Sequence, residues 1–154
     1  MEKKKKLLIF RVDQTRCALP LEHVQRTELA VAITPLPDAP DTVAGIINVR
    51  GKLMPVINVR HRLGLPDQDL QLDHHFILAK TEKRELALWV EQVSGIEDCC
   101  ITPQENVTAT IAKLPYISGV TAVGDDLVFI HDLEKFLSED EDRELTQAMG
   151  AISL

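Results

Sequence analysis

The sequence predicts a mainly all-β protein built from two small, closed β units. Three observations carry that expectation. Short runs rich in β-branched residues alternate with turn signals nearly throughout; one stretch of pattern occurs twice; and helix signals are brief except near the C-terminus. With 154 residues, 45% hydrophobic and 27% charged, the chain can bury a real core and is too apolar for disorder.

Taken in order, residues 1–6 are a basic run, Lys3, Lys4, Lys5 and Lys6, too weakly followed by apolar residues for a secretory leader and expected as a tail. Residues 7–12 and 17–21 flank the polar tip Asp13-Gln14-Thr15-Arg16, a hairpin pattern. Pro35, Pro37 and Pro40 make residues 30–40 a surface crossing, because proline fits neither a helix interior nor a central strand. Residues 45–60 form a second hairpin whose arms flank Arg50-Gly51-Lys52, with Gly51 free to take positive φ. Pro55 inside an arm implies an edge position or a bulge. Further hairpins are expected around tips 81–84 and 124–126. Single helical turns are expected at 41–44, 61–63 and 133–137. The strongest helix signal is Ser138 with Glu141 three residues on, a capping-box pattern ahead of a helix ending at Gly150.

The repeat is specific. Ala18-Leu19-Pro20-Leu21-Glu22-His23-Val24 aligns without a gap on Ala87-Leu88-Trp89-Val90-Glu91-Gln92-Val93, which sets Glu28 on Glu97. Gly45-Ile46-Ile47-Asn48-Val49 matches Gly119-Val120-Thr121-Ala122-Val123 in the same order, and 53–59 matches 127–133. One design is used twice, each copy a hairpin, a crossing, a second hairpin and a short helix.

Chemistry-bearing clusters are weak. His74-His75 would point to opposite faces of a strand and reads as a solvated loop tip. Cys99-Cys100 lacks the spacing to wrap one zinc, and three cysteines without a plausible pair suit a reducing cytoplasm as structural thiols. The acidic runs lack the spacing of a calcium loop, and no nucleophile-elbow or glycine-rich phosphate signature is present. No cofactor is expected. A net charge of -7 and only 4% aromatic residues argue against nucleic acid, and no apolar run is long enough for direct membrane insertion.

The stretch from Gly45-Ile46-Ile47-Asn48-Val49-Arg50-Gly51 through Pro55-Val56-Ile57-Asn58-Val59-Arg60 resembles the signature of the CheW-like coupling domains of bacterial chemosensory signalling. The proline-rich approach, the hairpins at 10–24 and 76–93, and the run Ile117-Ser118-Gly119-Val120 leading to Leu133 are similar to the same family in the same order. The resemblance spans roughly residues 7–137, leaving 1–6 as the tail and 138–154 as an acidic helix and tail.

It implies two intertwined five-stranded SH3-like barrels and no enzymatic activity. It further implies an adaptor joining the regulatory domain of a CheA-type histidine kinase to chemoreceptor cytoplasmic tips, in the cytoplasm at receptor arrays. A paralogous regulator that binds one partner, or competes for array sites, is the alternative. By this resemblance Val24 and Ile47 belong to a receptor trough, and Asn48, Arg50 and Gly51, with Arg26 nearby, to a partner-binding surface. Arg26 stands where the family commonly has an acid paired with the motif arginine. Glu28 or Glu22 is therefore expected to pair with Arg50, in a structural clamp that includes Pro55.

Overall fold

The computed structural model describes residues 4–103 and 116–152. In chain order the strands are β1 (Lys4–Val12), β2 (Thr15–Pro20), β3 (Val24–Leu29), β4 (Val43–Val49), β5 (Lys52–Asn58), β6 (His75–Lys80), β7 (Glu85–Val90), β8 (Gln92–Cys100), β9 (Thr102–Pro103), β10 (Ile117–Val123) and β11 (Asp126–His131). Two helices, α1 (Val59–Arg62) and α2 (Glu139–Gly150), and 3-10 turns at Leu21–His23 and Leu133–Lys135 complete the described residues. The four expected hairpins are present. Lys4, Lys5 and Lys6 correct the expected tail: they open β1, where Lys4 to Lys6 pair with Cys100 to Asp98 of β8. Residues 41–44 are not helical either, since β4 already begins at Val43.

The strands form two sheets, in the orders β8-β1-β2-β11-β10-β9 and β3-β6-β7-β5-β4. Each sheet takes the opening hairpin of one copy and the later strands of the other, so the two halves are interlocked rather than placed side by side. The seams are the parallel pairs β2–β11 and β5–β7. Each sheet is then drawn closed by the segment after its β3 or β8 strand. Thr34 exchanges two backbone hydrogen bonds with Ile46 of β4, and Thr102 of β9 pairs with Val120 of β10. The sixth strand of the first sheet is this closing segment, an addition to the five expected.

Closure requires glycine at matching places. A Cβ on Gly45 would lie 2.2 Å from the Thr34 carbonyl oxygen and 2.6 Å from Ile33. One on Gly119 would lie 2.6 Å from the Thr102 carbonyl oxygen and 3.1 Å from Ile101. Both glycines follow a bulge in their hairpin. The repeat seen in the sequence is thus a repeat of steric demands.

Pro55 corrects another expectation. It is buried in an inner strand, opposite Ile46. Ile46 spends its own N–H and C=O on Thr34, and the ladder to β7 starts only at Val56, so no partner requires the missing N–H.

Three apolar clusters result. Leu7, Ile9, Ala18, Cys99, Val128 and Ile130 fill one barrel, and their repeat counterparts Phe76, Leu78, Ala87, Ala30, Met54 and Val56 fill the other. The largest cluster lies between the sheets, with Phe10 and Leu19 from one and Ile57, Ile77 and Leu88 from the other. Helix α2 adds Leu145 and Ala148 to it, so this helix docks on the protein's own core.

The Ser138–Glu141 capping box is formed as expected. Glu141 also accepts from Thr42 at 2.6 Å and pairs with Arg62 at 2.5 Å, while Arg84 pairs with Asp142 at 2.8 Å. Burial opposes ionisation of Glu141, but the hydrogen bonds from Ser138, Thr42 and Arg62 and the charge of Arg62 outweigh it and bring its pKa down to about 2. A carboxyl depressed in the folded state contributes stability that is complete above its unfolded value of about 4.5 and disappears as pH falls toward the folded value. Wild type is therefore expected to lose stability faster than Glu141→Gln as pH falls from about 4.5 to about 2. Urea titrations at successive pH values measure this, and equal slopes would reject it.

Candidate functional site

The β4–β5 hairpin ends in a two-residue turn with Arg50 at φ 54° and Gly51 at φ 86°. Two successive positive φ values match the twist of the flanking strands. Asn48 stabilises the turn by accepting the Gly51 N–H through Oδ1 at 2.7 Å. Asn48, Arg50 and Gly51 are all exposed and come together at this tip, which presents a cation on a stiff support. An arginine rather than a glycine or asparagine at positive φ holds the backbone in an unfavourable region, at a cost of about 1–2 kcal/mol.

The expected clamp is not formed. Glu28 pairs with Arg26 at 2.7 Å, both on β3, while Glu22 lies 3.8 Å from His23. Among the described residues Arg50 makes no ion pair. The reason is solvation: an exposed guanidinium at a turn needs no counter-charge, whereas the half-buried Arg26 does. Ile47 also departs from expectation, being 5% exposed inside a barrel and unable to line a surface trough. Val24 is half-buried at the start of β3.

A cleft of about 480 Å³ opens where the chain leaves β2 for β3, lined by Lys5, Lys6, Pro20, Leu21 and Glu22. Leu21 and the following Val24 pack on the shared core from this junction. The cleft combines an apolar floor with a charged rim. Its lysines were hidden in the sequence because a basic N-terminal run gives no sign of pairing with β8.

The arginine that truly needed partners is Arg60. Only 8% exposed, it donates to Glu91 at 2.5 Å and to the Pro66 carbonyl at 2.7 Å, with Asp13 at 3.8 Å. Glu91 also accepts from Arg11 at 3.0 Å. This cluster ties the end of α1 to the β1–β2 turn and the β7–β8 junction. The sequence signal was Arg60 closing an apolar arm and Glu91 within the repeat.

His74 corrects the solvated-tip reading. It is 4% exposed, and its Nδ1 accepts from the Trp89 Nε1–H at 3.0 Å and the Gln71 N–H at 3.2 Å. His75 opens β6. Burial pushes the Cys17 thiol up to about 12 and raises Cys99 as well, while Cys100 is exposed. Among the described residues no group of three His, Cys, Asp or Glu side chains is placed to hold a metal ion.

The described helices include none long and apolar enough to cross a membrane. A family model described as the CheW-like domain matches residues 6–141. The "Probable chemotaxis protein CheW" of Rhizobium etli is 26% identical over 140 residues, covering 89% of this chain and 90% of its own. The "Chemotaxis protein CheW" of Thermotoga maritima is 28% identical over 137 residues, with 86% and 87% covered. Among solved structures, the "scaffolding protein TtCheW" of Thermoanaerobacter tengcongensis is similar with a TM-score of 0.78 and 25% identity, over 92% of this chain and 96% of that one.

Proposed function

The chain belongs to the CheW-like domain family, and from that premise we propose that it is a non-catalytic adaptor coupling chemoreceptor cytoplasmic tips to a CheA-type histidine kinase in cytoplasmic arrays. The observation that carries this reading is the interlocking of the halves through one shared core. Two barrels that cannot separate without unfolding keep their docking faces at a fixed spacing, as a coupler must. The cleft at Lys5, Lys6 and Leu21, with Val24 beside it, takes the receptor helix tip by helix-in-groove contact. Ile47 supports its hairpin from inside the barrel rather than touching the partner. The tip at Asn48, Arg50 and Gly51, with Arg26, is the polar docking surface.

Each contact alone need only be micromolar, about 8 kcal/mol, because arrayed sites add avidity through effective concentration. The test is reconstitution of the purified chain with a kinase regulatory domain and a receptor-tip coiled coil. An adaptor brings both into one complex. Binding to a single partner would instead mark a regulator or competitor.

Arg50→Ala is expected to weaken that bridging at least about tenfold, the equivalent of 1.4 kcal/mol. Its melting temperature should change little, as for exposed substitutions. A fall of more than roughly 10 °C would reveal a structural role and remove Arg50 from the docking surface.

A further inference from the structure

The cleft at Lys5, Lys6, Pro20, Leu21 and Glu22 has a counterpart in the other copy of the repeat, and there the chain's own side chains occupy it. Leu7 pairs with Pro20 as Phe76 pairs with Trp89, so Lys5 and Lys6 correspond to His74 and His75, and Glu22 to Glu91. In the second copy the Trp89 indole stands at the place of Pro20 and donates to the His74 Nδ1 at 3.0 Å. His74 is buried by this contact, and the Glu91 carboxylate is taken by Arg60 and Arg11.

The first copy makes none of these contacts. Pro20 is smaller than tryptophan and has no indole N–H, Lys5 and Lys6 are exposed, and Glu22 has only His23 nearby, at 3.8 Å. The same register is therefore left open, and its lining carries two lysines against one glutamate in a chain whose net charge is -7. Lys6 faces Asp98 at 3.5 Å. Lys5 makes no ion pair among the described residues, and its strand partner is Cys99 rather than an acid. Water solvates its ammonium while the cleft is empty. Once a partner covers the apolar floor, that solvation falls and a carboxylate must replace it.

We propose that the helix seated in this cleft is acidic along the flank that lies over β1, where a carboxylate meets Lys5, and that Lys5 selects among partner helices by this charge. The inference rests on the reading of the cleft as the seat of a receptor helix and adds the chemistry such a helix must carry. Leu21 and Val24 supply the apolar contact that any amphipathic helix can make. Lys5 supplies the discrimination, because complementary charge at a rim governs partner choice more than raw affinity. Glu22 confines the acid to the β1 flank, since a carboxylate over the 3-10 turn would meet a like charge.

The probes are three synthetic antiparallel helical hairpins with one leucine stripe, flanked by Glu, Gln or Lys. Each is titrated into the full chain at about 0.15 M salt, where charges beyond about 8 Å are screened. The Leu21 and Val24 methyl signals are followed by NMR. The expected result is saturable shifts at both residues with all three hairpins, and affinity falling from Glu to Gln to Lys. The ends should differ at least about fivefold, the scale of an exposed ion pair. Lys5→Glu should keep the melting temperature and reverse the order, and Lys5→Gln should flatten it. Lys4→Glu changes the net charge equally from outside the lining and should leave the order as it is. Equal affinities for the three hairpins, or an order that neither Lys5 variant alters, would overturn the charge selection and leave the helix-in-groove reading standing. Absence of shifts at Leu21 and Val24 with all three would overturn both.

Discussion

Glu91→Ala is expected to destabilise the protein by about 3–5 kcal/mol, the usual consequence of leaving a buried charge without its partner. Glu91 and Arg60 are 13% and 10% exposed at their side chains, so solvent cannot replace the lost carboxylate. The Pro66 carbonyl remains for Arg60, but Asp13 at 3.8 Å is too distant and too exposed to take over. Arg11 loses the same acceptor. Arg60→Met should cost less, because Glu91 keeps Arg11. The double variant Arg60→Met with Glu91→Leu should recover much of the loss, since apolar replacement of a buried pair is often neutral. Urea unfolding of the three variants measures this. A cost below about 1 kcal/mol for Glu91→Ala would place the cluster among solvent-screened surface pairs.

Gly45→Ala is expected to cost about 4 kcal/mol, combining overpacking at ~1–3 kcal/mol with backbone strain of similar size. The new methyl group would meet the Thr34 carbonyl at 2.2 Å, and φ at Gly45 is 153°. The obstacle is backbone, which cannot swing aside as a flexible side chain would. The Thr34–Ile46 bridge must open, and with it the closure of the barrel. Gly119→Ala, at 2.6 Å from Thr102, should fall short of that value. Gly51→Ala has nothing within 4 Å and should show strain alone, about 1–2 kcal/mol. Thermal and urea denaturation of the three give an order, Gly45 above Gly119 above Gly51 or equal to it. A Gly45 variant as stable as the Gly51 variant would contradict the closure argument.

Hairpin positions were legible because turn chemistry and alternation are local, as at Arg50-Gly51 and around residue 124. The capping box was legible for the same reason: Ser138 and Glu141 satisfy each other within one turn. The nine-residue β8 was not foreseen as a strand beyond its first residues. It is an edge strand with much exposed polar surface, and its pairing with β1 is set by residues more than eighty positions away. For the same reason Lys4 to Lys6 could not be told from a tail. The site residues divided likewise: the exposed tip at Asn48 and Arg50 was legible as a turn, whereas the burial of Ile47 and the partner of Arg26 were not.

The sequence alone determined that the protein is β-rich, duplicated and capped by a helix, since periodicity, repeat spacing and capping are properties of neighbouring residues. Only the tertiary structure decided how the copies interlock, and which arginine and which histidine are buried. Those outcomes depend on desolvation and steric contact between strands far apart in the chain, and no local pattern encodes them.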